Sequence, residues 1–513
     1  MNLRAEQLRA IGGRQSRLIV LVGTLLLTLC MWAISVPRGS TPDEGYHLAS
    51  IWCARGEIEG KCQPLDGTED LGSIVLTPYV SDFCFNRSPD LPANCVNELT
   101  DSTLVGHQRF DGKDFRILYY LALNPLSNLG PEIGVTMMRF VNIMIFVLLF
   151  ASLLFFGTNQ VSSSAAIGLL MTLVPQGLYL ISSVNPSSWA VTAVGLNWAF
   201  LLEARSAQTT RRRAFFAACW ALTTTLSLAR LDSFGLLLFS TVAVIVFDRR
   251  ASTTRNKRLG ISLFVVIAMI YFAHQFDLLR ILLTSIRTTF LDQRADFFIY
   301  WILHLIDIPA FSYGFNFEDF GALGGSLEIL LPTFVPIIMS GLFITLLCWT
   351  FRNYSWRLVV FGASSIIFLF LVLIQQLAAE STYNPYWVQG RYILPFISFF
   401  LGFSVYLSLQ GHSSSVQLFT AKLTSVGISV AHSLVLLTVI QRYSVGSNKK
   451  FVSILDSTSW NYVPYLGGIV VWLVGTVAFA IFAWLLSTAV VYKLDELRFI
   501  EASASTVGLR PTN

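Results

Sequence analysis

The stretch Ser40-Thr41-Pro42-Asp43-Glu44-Gly45-Tyr46-His47 places two adjacent carboxylates, two hydroxyls, a phenol and an imidazole within eight residues. It follows directly on an apolar run, Leu18–Val36, where a chain would leave a bilayer. The pattern has two readings. Thr41 as N-cap, Pro42 at the first helical position and Glu44 at the third make a capping box, with acids in the first turn suiting the helix dipole. Alternatively, Glu44 folds back on the backbone and leaves Asp43 as an acid or base at the membrane mouth. His47 is four residues on, on the same helical face as Asp43. It could tune Asp43, share a metal ion with Asp43 and Glu44, or be an ordinary interfacial histidine. The sequence requires no cofactor; magnesium or manganese is the divalent cation such a group would take.

The elements that must carry these residues are apolar. The chain has 513 residues, 54% hydrophobic and 13% charged, with a mean hydropathy of +0.62. That excludes a soluble multidomain protein and predicts an all-α polytopic membrane protein. The net charge of +5 carries no nucleic-acid meaning, because most basic residues fall in loops that set orientation. Hydropathy predicts about 12 spans of roughly 20 residues each. After Leu18–Val36 they fall at about 132–156, 164–183, 188–203, 214–230, 233–247, 259–275, 331–350, 357–378, 392–409, 423–440 and 465–490. The pair at 214–230 and 233–247 is short enough to form a re-entrant hairpin instead. Arg4, Arg9, Arg14 and Arg17 precede the first span. The clusters Arg205 to Arg213, Arg249 to Arg258, Arg352 with Arg357, and Lys493 with Arg498 follow later ones. By the positive-inside rule these are cytoplasmic.

Residues 1–17 are then a cytoplasmic N-terminus, 18–500 one transmembrane domain, and 501–513 a cytoplasmic, disordered tail. The first span reads as retained rather than cleaved. Two long segments face outward, 38–130 and 276–328. The first holds a helix after Asp43 and an apolar stretch near Leu118–Leu123. The second holds an amphipathic helix at 277–305, lying on the membrane surface or packed as a loop helix. Four of the seven cysteines, Cys53, Cys62, Cys84 and Cys95, fall in the first outer segment. They read as two disulfides, preferably the local pairs Cys53–Cys62 and Cys84–Cys95, with a zinc site as the alternative.

Charges near spans are costly and mark function. Five polar features stand at outer span ends: Asp43-Glu44, Asn185-Pro186, Arg230 with Asp232, Glu328, and Arg391-Tyr392. Each alone is explained by a cap, a turn ion pair or a snorkelling anchor. Together they come from distant stretches to one side of the membrane. Arg391, a forked donor that stays charged, suits a phosphate at that depth.

Four segments resemble a family of bacterial polytopic membrane proteins grouped with the GT-C glycosyltransferases. They are Pro42-Asp43-Glu44 with Tyr46-His47; Ser183-Val184-Asn185-Pro186; Leu323 to Pro332 with Gly325-Ser326-Leu327-Glu328; and Val388-Gln389-Gly390-Arg391-Tyr392 followed by Leu394-Pro395. The chain departs from the family at Ser326-Leu327-Glu328 and at Ala229-Arg230-Leu231. The resemblance implies a GT-C-like helical bundle whose outer loops carry short helices. It implies transfer of a sugar from a polyprenyl-phosphate donor to a cell-envelope glycan or glycolipid, at the outer face of the bacterial inner membrane. Asp43 would be the general base, with Glu44 orienting it or binding acceptor or metal. Arg391 and Arg230 would meet the lipid phosphate, and Glu328 would help to fix the sugar. His47, Asn185 and Tyr392 complete the expected substrate contacts. Inversion at the anomeric carbon follows from a single displacement. Two other classes fit less well: a lipid-linked sugar flippase, which favours charges at the bilayer midplane, and a scaffold whose disulfide-bonded loop binds a partner.

Overall fold

The computed structural model describes residues 2–56, 62–64, 72–76, 85, 88–94, 104–108, 116–248, 322–323, 329–352, 354–379, 390–410, 418–449 and 467–506. Within them the chain is an all-α membrane protein with two small sheets. In order the elements are α1 (Asn2–Ser35), α2 (Glu44–Trp52), β1 (Gln63–Pro64), β2 (Gly72–Leu76), β3 (Leu104–Gln108), α3 (Ile117–Leu123), α4 (Pro131–Phe156), α5 (Asn159–Thr172), α6 (Leu178–Ile181), α7 (Ser187–Ser206), α8 (Thr210–Ser227), α9 (Leu231–Phe247), β4 (Ala322–Leu323), β5 (Ile329–Leu330), α10 (Phe334–Arg352), α11 (Trp356–Ala379), α12 (Gly390–Leu409), α13 (Leu418–Ser444) and α14 (Gly468–Thr506). Strands β1, β2 and β3 form an antiparallel sheet, with Gly72 opposite Gln108 and Leu76 opposite Leu104.

Six of these helices, and α5 continued through α6 as a seventh, are long and apolar enough to cross a membrane, and α9 and the first part of α11 are shorter apolar helices. The expected span at 259–275 and the amphipathic helix at 277–305 lie outside the described residues. The expected span at 188–203 is α7, which begins at the first residue after Pro186. Its moderate hydropathy has a physical reason: α7 is buried on all sides, so Thr192, Asn197 and Glu203 bond to protein rather than face lipid. The expected span at 164–183 starts earlier, at Asn159, and breaks at Leu173–Gly177 around Pro175, which lacks the N–H that a continuous helix needs. The pair at 214–230 and 233–247 forms two separate helices, α8 and α9.

The C-terminus of α1, the start of α4, the end of α6, the start of α7 and the start of α12 meet at one end of the bundle, around residues 38–46. At the other end, Glu203 near the end of α7 is fully buried. It accepts from the Thr158 backbone N–H at 2.7 Å and from Arg212 at 2.8 Å, and so caps the start of α5.

Helix α12, which carries Arg391, is seated by close backbone approach. A Cβ on Gly168 of α5 would lie 2.5 Å from the Ser398 carbonyl and 2.7 Å from the Gly402 nitrogen of α12. A Cβ on Gly402 would lie 2.8 Å from the Trp198 ring of α7. Without side chains at these points, dispersion contacts between backbones hold the helices together in a lipid-like medium.

Candidate functional site

The site is built on the turn between α1 and α2. The first helical residue of α2 is Glu44, and its N-cap is Asp43, with φ 55° and ψ 17°. This left-handed conformation is open to Asp and Asn but strained for most other side chains. Asp43 makes no capping bond, and the Thr41 hydroxyl has no hydrogen-bond partner among the described residues. The capping box is therefore not formed. Thr41 contributes its carbonyl instead, accepting from the Glu44 N–H at 3.1 Å.

Glu44 turns inward because a buried cation claims it. Arg139, in the third turn of α4, donates from Nη2 to Glu44 Oε2 at 2.9 Å and from Nε to Oε1 at 3.2 Å. Neither side chain is exposed. The remaining Arg139 donors reach the carbonyls of Ala33, Val36 and Pro37 at 2.8, 2.7 and 2.9 Å. The Gly39 N–H donates to Glu44 Oε2 at 2.8 Å. One arginine thus ties the end of α1 to the start of α2 and stops the turn from rearranging. Asn185 braces it from the other side. Its Nδ2 donates to the Pro42 carbonyl at 2.7 Å, and its Oδ1 accepts from the Ser187 N–H at 2.8 Å. The Tyr179 hydroxyl donates to the Ser40 carbonyl at 2.8 Å.

Asp43 is what this frame presents outward. Its side chain is 46% exposed. Arg391 Nη2 donates to Asp43 Oδ2 at 2.7 Å and to the Tyr392 hydroxyl at 3.2 Å. The Arg391 guanidinium is nearly buried, and its Nε has no hydrogen-bond partner among the described residues. Pro395, one turn on, cannot bond back to the Arg391 carbonyl. The ring of Tyr392 contacts two guanidiniums: that of Arg391 lies 5.1 Å from its centroid and that of Arg230 4.8 Å. Arg230 pairs with both oxygens of Asp232 and donates to the Ser187 hydroxyl.

His47 is fully buried one turn behind Asp43. Its Nδ1 lies 3.1 Å from the Tyr120 hydroxyl of α3. Burial pulls its pKa down to about 3; Arg391 and Arg230 add to this and Asp43 opposes it. The imidazole is neutral near pH 7. Burial also pushes the phenols of Tyr119 and Tyr120 up. Among the described residues no three His, Cys, Asp or Glu side chains come together as a metal site. Glu44 is occupied by Arg139 and backbone N–H groups, and His47 is turned toward Tyr120, so the two do not form a cation cage with Asp43.

Asp43, Glu44, His47, Asn185, Arg230, Arg391 and Tyr392 thus meet at one end of the bundle. Glu328 lies outside the described residues. Cys53 and Cys62 form a disulfide just after α2, whereas Cys84 and Cys95 lie outside the described residues. Sequence reasoning missed Arg139, although the signal was present: a single arginine inside a 26-residue apolar helix is an intramembrane charge that needs a partner. It also missed Tyr120, Tyr179 and Ser187, whose residue types carry no such flag.

No curated protein matches the chain in sequence. Two crystal structures of ArnT from Cupriavidus metallidurans align with it. The one bound to undecaprenyl phosphate gives a TM-score of 0.41 at 12% identity, covering 95% of this chain and 79% of ArnT. The apo one gives 0.38 at 13%, covering 92% and 77%. Residues 26–400 match the family described as predicted membrane protein DUF2142, and the chain belongs to that family.

Proposed function

We propose that this protein is a membrane glycosyltransferase of GT-C type. It moves a sugar from a polyprenyl-phosphate donor to a cell-envelope glycan or glycolipid, on the extracytoplasmic side of the bacterial inner membrane. The observation that carries the reading is the pair Asp43 and Arg391: a half-exposed carboxylate on a locked turn, against a nearly buried arginine with donors to spare. The four-segment sequence resemblance supplies the reaction class. Undecaprenyl phosphate, the lipid bound to ArnT, is a polyprenyl phosphate, the kind of carrier that the proposed donor releases.

In this mechanism the donor phosphate takes the place of the Asp43 carboxylate on Arg391. Asp43 then accepts the proton of the acceptor hydroxyl. The acceptor oxygen forms a bond to the anomeric carbon as the bond from that carbon to the phosphate oxygen breaks, and the configuration inverts. The lipid phosphate leaves with the bonding pair, and Arg391 and Arg230, both against the Tyr392 ring, meet its growing charge. Glu44 and Asn185 position Asp43, and neutral His47 packs behind it. No step requires a cation. Two features support the orientation: the Cys53–Cys62 disulfide near the site suits an oxidising compartment, and Arg205, Arg212, Arg352 and Arg357 stand at the opposite end.

The test is transfer from a panel of radiolabelled polyprenyl-phosphate sugars in membranes holding wild type, Asp43→Asn or Arg391→Ala. Loss of transfer in Asp43→Asn at unchanged protein level is expected. Full transfer by that variant would remove Asp43 as base. If wild type transfers from no donor, a translocation assay with the same variants tests the flippase alternative.

A further inference from the structure

At the end of the bundle opposite Asp43, helices α5, α10, α13 and α14 enclose a cleft of about 310 Å³. Its inner wall is apolar, formed by Ala166 and Leu170 of α5 with Leu346 of α10. Of the hydroxyls along it, Thr345 donates to the Gly341 carbonyl and Ser487 accepts from Ser425, and Thr424 adds a third. Trp349 and Arg352 stand at the mouth, where α10 ends. Arg352 is exposed and is the sole charged side chain of the described lining. Neither it nor the Trp349 indole has a hydrogen-bond or ion-pair partner among the described residues. From Leu342 to Arg352 the cleft follows α10 for roughly 15 Å, about half a bilayer's hydrocarbon thickness.

We propose that this cleft binds one anionic phospholipid from the leaflet at that end. An acyl chain lies along α10 between Leu346 and Leu170, and the phosphate rests on Arg352 at the depth where Trp349 marks the interface. Three features select this occupant. The trough is too apolar for a free polar ligand. Its single charge stands at headgroup level rather than inside. That charge is a forked donor suited to phosphate oxygens. The site is separate from Asp43, so the inference is independent of the transfer reading.

The experiment is native mass spectrometry of the full chain released from vesicles of equal phosphatidylglycerol and phosphatidylcholine. One phosphatidylglycerol is expected to stay on each chain in preference to phosphatidylcholine. Arg352→Ala should lower its retention about fivefold, the value of one arginine at a membrane surface. Arg352→Lys should keep most of the preference. Leu346→Trp, which fills the cleft, should lower retention with Arg352 intact. Arg352 is exposed, so its variants do not threaten folding, and a thermal melt checks this. Equal retention of the two lipids by wild type, unchanged retention in Arg352→Ala, or a lipid-free dimer that covers the cleft would each overturn the proposal.

Discussion

Arg391 reaches Asp43 across 348 residues of sequence and donates to it at 2.7 Å. The two come from opposite ends of the family-matched region, and the contact closes the site. It also holds both groups ready: Asp43 stays in its unusual backbone conformation, and Arg391 keeps unspent donors. A phosphate entering here competes with a carboxylate for the same guanidinium.

The backbone at Asp43 separates two roles. Asp43→Asn and Asp43→Gly both lose the pair with Arg391, but Asn tolerates a positive φ and Gly relieves it, so both should fold and melt above Asp43→Ala while transferring no sugar. Asp43→Ala should lose activity and also about 1 kcal/mol of stability. Thermal melts of the three purified variants check the order. Equal melts for Ala and Gly would show that the turn is not strained.

Arg139 and Glu44 should behave as a unit. Each single change, Arg139→Leu or Glu44→Leu, leaves a buried charge unpaired and should cost about 3–5 kcal/mol. The double variant should recover part of that loss, because no charge remains uncompensated. Melting curves of the four proteins give the coupling. Strict additivity would mean that the pair does not hold the turn.

His47 predicts an acid limit. Its folded pKa is depressed to about 3 by burial, whereas an unfolded histidine titrates near 6.5. Between these values the unfolded chain binds the extra proton, so this stability is present above pH 6.5 and lost as pH falls toward 3. The slope approaches about 1.4 kcal/mol per pH unit. A His47→Gln variant should lose this part of the pH dependence of melting. An unchanged slope would show that another group sets the acid limit.

The disulfide-bearing segment gives a check on side as well as stability. Cys53→Ser should lower stability by about 2–4 kcal/mol and leave Cys62 as a thiol. Both cysteines are buried, so the side is read at exposed Asp90 of the same segment: a membrane-impermeant maleimide added to intact spheroplasts should label Asp90→Cys. Labelling only after permeabilisation would invert the proposed orientation.

Much of the architecture was legible because the bilayer enforces a local rule. A backbone that crosses lipid must satisfy its own hydrogen bonds, so spans announce themselves as apolar runs with charged ends. The runs ending at Val36, Phe156 and Leu409 were read to within a turn or less. Asp43, Arg230 and Arg391 were legible for a related reason: a charge at a span end is costly unless it has work there. The local pair Cys53–Cys62 followed from loop length. Residue pattern failed where two local solutions matched the same letters. Thr41-Pro42-Asp43-Glu44 fits a capping box, yet no box forms, because Arg139, 95 residues away, draws Glu44 inward. The break at Pro175 and the all-round burial of α7 were likewise settled by neighbouring helices. Sequence by itself determined the helices, their order and the end of the bundle that collects the acid and the arginines. Tertiary structure alone decided which arginine holds which acid, since that depends on close approach between helices far apart in sequence, and such approach leaves no periodicity to read.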